Sequence, residues 1–276
     1  METQSLKEKV MIVNLHISQW GARRYDEKVT REIEQLHQTE EAGRFNKRLM
    51  KSYLLDDIAS TVNKARSYHR NATLPWSDNN DRIITTDKYF EYVMTIGKYT
   101  MEMNQLVEKF VAEYEELKEK EKIRLNSMYR EEDYPHPTEI KDKFKLKAIF
   151  MPIADANDFR VNLNDSMVEV MKQQLTEELE NRVKYANEDL LDRVRKVVNT
   201  MIEKLSDTES KFRDSLVGNI ENMIEILPIY NFSNNEHIKN VTERLKTLSV
   251  NPDMLRNNES FRKDILKKAQ EIVKTI

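Results

Sequence analysis

Apolar and polar residues alternate from Val10 to Ser18. Met11, Val13, Leu15 and Ile17 share one parity; Asn14, His16 and Ser18 share the other. A period of two in a β-branched stretch predicts a strand. Further on, Leu49, Tyr53 or Leu54, Ile58, Val62 and Ala65 recur every three or four residues, which predicts a helix over 44–70. The turn-rich run 71–80 closes it. Thr86 or Asp87 can then cap a long helix. Its stripe is Ile96, Thr100, Met103, Val107, Phe110, Tyr114 and Leu117, a heptad spacing of about 3.5. The charge-dense stretch 115–122 reads as a solvated tip, and a helix over 87–130 would be roughly 65 Å long.

Tyr134-Pro135-His136-Pro137 breaks that helix. Alternation returns over 143–153 and 159–163, with a turn at Asp155-Ala156-Asn157-Asp158. A second long stripe follows the cap Asn164-Asp165-Ser166: Met167, Met171, Leu175, Leu179, Val183, Ala186, Leu190, Val194, Val198, Met201 and Leu205. Its mean spacing is about 3.8, looser than a heptad. Similar lengths predict that the two long helices pair antiparallel. Three shorter helices are expected to follow. The first runs from Asp207 or Thr208 to Pro228, the second from Asn234 or Asn235 to about Leu248, and the third opens at Asn251-Pro252-Asp253.

The expected fold is mainly α with minor β. It comprises a long antiparallel helical hairpin, a small sheet and a C-terminal helical cluster. The expected divisions are 1–85, 86–207 with a β insertion near 143–163, and 208–276.

Composition sharpens this picture. The 276 residues include only four glycines and six prolines, and 34% are charged. Glycine-cradled phosphate loops are absent: Gly21, Gly43, Gly97 and Gly218 stand alone. The lack of cysteine excludes disulfides and thiol chemistry. No apolar run approaches the ~20 residues of a membrane helix, and METQSLKEKV lacks a signal core. A cytoplasmic chain without a membrane partner is expected. Net charge is −3, distributed as +3 over 1–75, −7 over 76–207 and +1 over 208–276.

Several stretches resemble one family. They are Val13-Asn14-Leu15-His16-Ile17-Ser18 with Trp20, Ala22 and Arg23; Tyr134-Pro135 with Phe144; and Pro152 with Asp158-Phe159-Arg160-Val161. This pattern is similar to a family of bacterial, integrative-element and bacteriophage proteins that carries a domain of unknown function. The resemblance implies no catalytic residue and no cofactor. Family members are encoded near MoxR-type ATPases and von Willebrand factor A proteins, which implies an accessory role beside an ATPase machine.

Chemistry-bearing patterns are sparse. Glu34-Gln35-Leu36-His37 has the E-x-x-H spacing of di-iron bundles, but the second motif such a site needs is missing. His16 lies on the polar side of the first strand, and no serine-elbow motif exists. No enzymatic activity, metal or cofactor is expected. Arginine interleaved with aromatics marks two clusters: Trp20, Arg23, Arg24 and Tyr25, then Arg66, Tyr68, His69, Arg70 and Trp76. Such sets hold single-stranded nucleic acid or anchor a protein partner; they also serve as core and ion pairs. A two-helix layer leaves open flanks, marked here by Tyr92 and Tyr99, so homo-oligomerisation is expected. The leading reading is a helical structural or adaptor protein. A nucleic-acid-binding accessory protein and an inhibitor of a host protein stand beside it.

Overall fold

The alternating N-terminal segment forms β1 (Val10–Ser18), preceded by α1 (Thr3–Lys9). The chain continues through β2 (Arg23–Tyr25), α2 (Glu27–His37), β3 (Asn46–Arg48), α3 (Tyr53–Asn71), β4 (Leu74–Pro75) and β5 (Arg82–Thr85). Next come α4 (Tyr89–Leu125), α5 (Pro137–Ile140), β6 (Lys145–Met151) and α6 (Asp165–Ser206). The last elements are α7 (Ser215–Tyr230), α8 (Glu236–Lys246), α9 (Pro252–Asn257) and α10 (Glu259–Val273). The computed structural model describes residues 3–77, 79–153, 165–207 and 212–276. The fold is mainly α with a small antiparallel sheet. The expected strand 159–163, the turn before it and the cap residue Asn164 lie outside the described residues.

The chain divides into two compact units. The first is Met1–Asn14, Asn71–Phe90 and Phe150–Ile276; the second is Leu15–Arg70 and Glu91–Ile149. This differs from the expected division, in which 86–207 was one hairpin. The long helix α6 falls in the first unit, and α4 beyond Phe90 falls in the second.

In the first unit α6 packs against α10, α7 and β4. Its fully buried Ala186, Leu190, Val194, Val198 and Met201 share one core with Ile220, Leu227, Ile238, Leu245, Leu255 and Ile265. The C-terminal helices therefore cover the α6 stripe within one chain, and the coverage argument for a second chain fails there. β5 pairs antiparallel with β1 (Val10↔Thr85 to Val13↔Arg82) and with β4 (Leu74↔Ile83). Asn235, Asn251 and Asn258 cap α8, α9 and α10 by accepting backbone N–H bonds. Pro228 does not end α7; it sits in the last turn.

Arg262 closes the C-terminal end of α6. Its guanidinium donates to Leu205 O at 3.0 Å, to Lys204 O at 2.9 Å and to Asp207 O. These are carbonyls a helix end leaves unpaired. Arg262→Ala is expected to lower stability by about 1–3 kcal/mol, the cost of stranding buried acceptors. A urea midpoint measures it, and Arg262→Lys should recover only part, lacking the planar fork.

In the second unit the α4 stripe is Tyr92, Ile96, Met103, Val107, Phe110 and Tyr114, all buried. α3 supplies Leu54, Ile58, Val62 and Ala65 to this unit's interior; the 134–146 region supplies Tyr134, Ile140, Phe144 and Leu146. Phe110 meets Trp20, Tyr114 and Phe144 with ring centroids 5.7–6.1 Å apart. β6 lies beside β1. The expected helix over 44–70 begins only at Tyr53. Residues 46–48 pair instead with β2, through Arg23↔Arg48, Arg24↔Lys47 and Tyr25↔Asn46.

Candidate docking surfaces on the second unit

Of the basic–aromatic residues singled out in the sequence, Trp76 falls in the first unit and the others in the second. Trp20 is half-buried against Phe110 and Tyr114. Arg24 Nε is 3.0 Å from Asp133 Oδ1. Arg23, Arg66 and Arg70 are exposed, and Arg66 donates to Asn63 Oδ1 at 3.2 Å. His69 is buried, its Nδ1 2.7 Å from the Tyr92 hydroxyl. Trp76 belongs to the first unit, buried in its core with the Arg182 guanidinium 6.0 Å from its ring centroid.

Tyr92 and Tyr99 do not form an open flank either. Tyr92 is fully buried, and the half-buried Tyr99 ring lies 6.4 Å from Tyr68. These tyrosines project toward α3, which covers that side of α4.

A buried ionic cluster joins β2, β3, the α2 N-cap and the 128–133 segment. Lys47 Nζ lies 2.7 Å from Asp133 Oδ2, 3.3 Å from Asp26 Oδ2 and 2.8 Å from Met128 O. Two cations, Lys47 and Arg24, face two carboxylates. Lys47 donates a hydrogen bond to Met128 O and pairs by charge with both carboxylates, so it clasps the three segments together. Burial pushes the Asp26 carboxyl up, but the Val29 N–H and Lys47 outweigh it and hold the group below its ordinary value. Close by, Glu121 accepts from Lys51 N at 2.7 Å and pairs with Arg124. Local motifs give no sign of this cluster, because its charges are far apart along the chain.

Two helix faces of this unit remain apolar and open. On α4, Met94 and Met101 are each 64% exposed, with Val93 beside them and Gly97 between them. Phe90, one turn earlier on the same helix, is 78% exposed. The positions 90, 94, 97 and 101 trace one stripe, opposite the buried Ile96, Met103 and Phe110. The second open face is on α2, where Val29, Ile33 and Leu36 share one side and Leu36 is 77% exposed. Spacings of four and three could have flagged both faces from sequence.

The loop 38–45 folds back along α2 and leaves a groove of about 250 Å³, lined by Thr30, Ile33, Thr39, Ala42 and Phe45 among others. Backbone and side chain hold this shape. Asp26 Oδ1 accepts from Val29 N at 3.2 Å, and Asp26 N donates to Phe45 O at 2.9 Å. Thr30 Oγ1 accepts from Phe45 N at 3.0 Å, and Glu34 Oε1 accepts from Glu41 N at 3.0 Å. Gln38 and Glu41 take the left-handed conformation (φ 49° and 53°), which turns the loop. Glu34 thus serves the loop, and among the described residues no group of three or more His, Asp or Glu could hold a metal ion. A polar cleft of about 190 Å³ lies between α3 and α4, where Thr61 Oγ1 donates to Glu102 at 2.8 Å.

Among the described residues, no helix is long and apolar enough to cross a membrane. Comparison with protein-family models, with curated proteins and with solved structures gives no match, so a functional reading rests on this chain's own geometry.

Proposed function

We propose that this is a non-enzymatic structural protein that assembles with a second copy of itself through the outer face of α4. The observation that carries this reading is the double-faced helix: one stripe is buried within the chain, and the opposite stripe, Phe90, Met94 and Met101, is open. The open stripe is close to self-complementary. Met94 and Met101 stand symmetrically about the Gly97–Lys98 peptide. An antiparallel two-fold pair therefore sets each Met94 against Met101 of the second copy. Gly97 has nothing within 4 Å of where a Cβ would stand, which leaves room for the opposing Lys98 stem. Methionine adapts well to such a seam. The cytoplasm, that of a host cell for a phage-encoded chain, is the setting of this reading, supported by the cysteine-free composition and the family resemblance. The nucleic-acid reading has less support, since His69 and Trp76 are buried.

Light scattering tests the assembly. The wild type is expected to run as a dimer, or larger, at high micromolar concentration. Met94→Glu with Met101→Glu should give a monomer with the same far-ultraviolet spectrum and urea midpoint. A monomeric wild type, or an unchanged assembly in the double variant, overturns the reading.

A further inference from the structure

We propose that a strip of lysines along β6 holds the phosphate backbone of a single-stranded nucleic acid. The strip uses none of the arginines or aromatics of the two basic–aromatic clusters and none of the α4 stripe, so it does not depend on self-assembly.

Strand periodicity builds the strip. On β6 the buried Leu146 alternates with the exposed Lys145 and Lys147, and an exposed Lys143 precedes the buried Phe144. The apolar side is occupied: the Phe144 ring lies 5.9 Å from Phe110 on α4. β1 lies alongside with the same alternation, Leu15 and Ile17 half-buried, His16 and Ser18 exposed. Ser18 Oγ donates to Lys143 O at 2.8 Å, which sets the end of β1 beside the start of β6. Alternate residues of neighbouring strands share one side of a sheet. The open side therefore carries the lysines together with His16.

The cations are uncommitted. Among the described residues, the side chains of Lys143, Lys145 and Lys147 make no ion pair and no hydrogen bond. Lys141, just before them, lies 3.7 Å from Glu108 instead. Helix lysines of this chain find carboxylates three or four residues away, as Lys120 does with Glu116. On β6 every second residue from 143 to 147 is a lysine, so the strand offers them no such partner.

Spacing and chemistry choose the occupant. Alternate residues of a strand stand about 6.6 Å apart, close to the spacing of successive phosphates along an extended single strand. Three cations in line thus meet three phosphates in line. The exposed side chains beside them are His16 and Ser18, with no exposed aromatic to stack on a base or anchor a peptide. Bare charge pairs add little affinity for an acidic peptide. A nucleic acid carries condensed counterions, and their release drives binding without any base being read.

The probe is a fluorescein-labelled oligothymidylate of about 20 nucleotides, mixed with the full chain and read by fluorescence polarisation. Binding is expected to weaken with salt. The logarithm of the association constant should fall against the logarithm of salt concentration with a slope of about −2, three phosphates at ~0.7 each. Oligoadenylate of the same length should bind within about twofold, because phosphates carry no sequence. Lys143→Gln with Lys145→Gln and Lys147→Gln should weaken binding by about tenfold or more and flatten the slope. These positions are exposed, and an unchanged urea midpoint verifies the fold. Lys145→Arg in the otherwise unchanged chain should bind like the wild type. Polyglutamate of matching length should fail to compete. Met94→Glu with Met101→Glu should leave binding unchanged, so failure of the α4 assembly and failure of this strip are read separately. No binding of the oligonucleotide, equal competition by polyglutamate, a strong preference for one base, or indifference to the triple lysine change overturns the proposal. A loss of binding on changing Arg23, Arg24, Arg66 and Arg70 to alanine, with the lysines intact, also overturns it.

Discussion

Lys47→Met is expected to destabilise the protein by about 3–5 kcal/mol, read as a drop in the urea midpoint. Methionine fills much of the same volume, so packing changes little. The loss is electrostatic: Asp26 and Asp133 stay buried, and the cation 2.7 Å from Asp133 is gone. Arg24 still holds one oxygen of Asp133, and Val29 N still serves Asp26. Neither replaces an ammonium at the centre. Changing both aspartates to asparagine in the Lys47→Met background should recover part of the loss, since the stranded charges then disappear.

The same cluster sets an acid dependence. Asp26 titrates below its ordinary value in the folded state, so its stabilising contribution is fully present above the unfolded value of about 3.9. It is lost as pH falls from there through the depressed folded value. Without Lys47, burial pushes the Asp26 carboxyl up and neutralises it more easily. The stability gap between wild type and Lys47→Met should therefore narrow below about pH 4. A gap that stays constant from pH 7 to pH 3 would show that the charge cluster does not act this way.

Phe110→Ala is expected to cost about 3–5 kcal/mol. Phe110 is fully buried, and its ring meets Trp20, Tyr114 and Phe144 at once. Truncation opens a cavity that three rings on separate segments cannot close together. Met101→Ala on the same helix should change the monomer's stability by less than about 0.5 kcal/mol, because that side chain stands in solvent. Comparable losses at the two positions would contradict the assignment of inner and outer faces of α4.

Those two faces show how far a one-dimensional pattern reaches. The heptad through Ile96, Met103, Val107, Phe110 and Tyr114 marks the inner stripe by spacing alone, because burial must follow the helical period. Phe90, Met94 and Met101 carry an equally regular spacing, yet they stay in water. Hydrophobicity states what gains from burial, and it does not say which neighbour supplies the cover. For Tyr92 and Tyr99 the cover comes from α3, more than twenty residues earlier in the chain. The groove beside α2 has the same character. Val29, Ile33 and Leu36 are a readable helical face, but the loop that walls it depends on Thr30 and Glu34 bonding residues 45 and 41.

Local chemistry was enough for the parts that depend on neighbours in sequence. The alternation of Val10–Ser18, the two long helices, the asparagine caps at 235 and 251 and the mainly α class all follow from backbone preference and period. Partner choice was settled by long-range packing. α6 is enclosed by α7 and α10, and Lys47 draws together carboxylates from residues 26 and 133. Both outcomes depend on shape, volume and desolvation summed over surfaces distant in the chain, and those energies exist only once the chain has closed on itself.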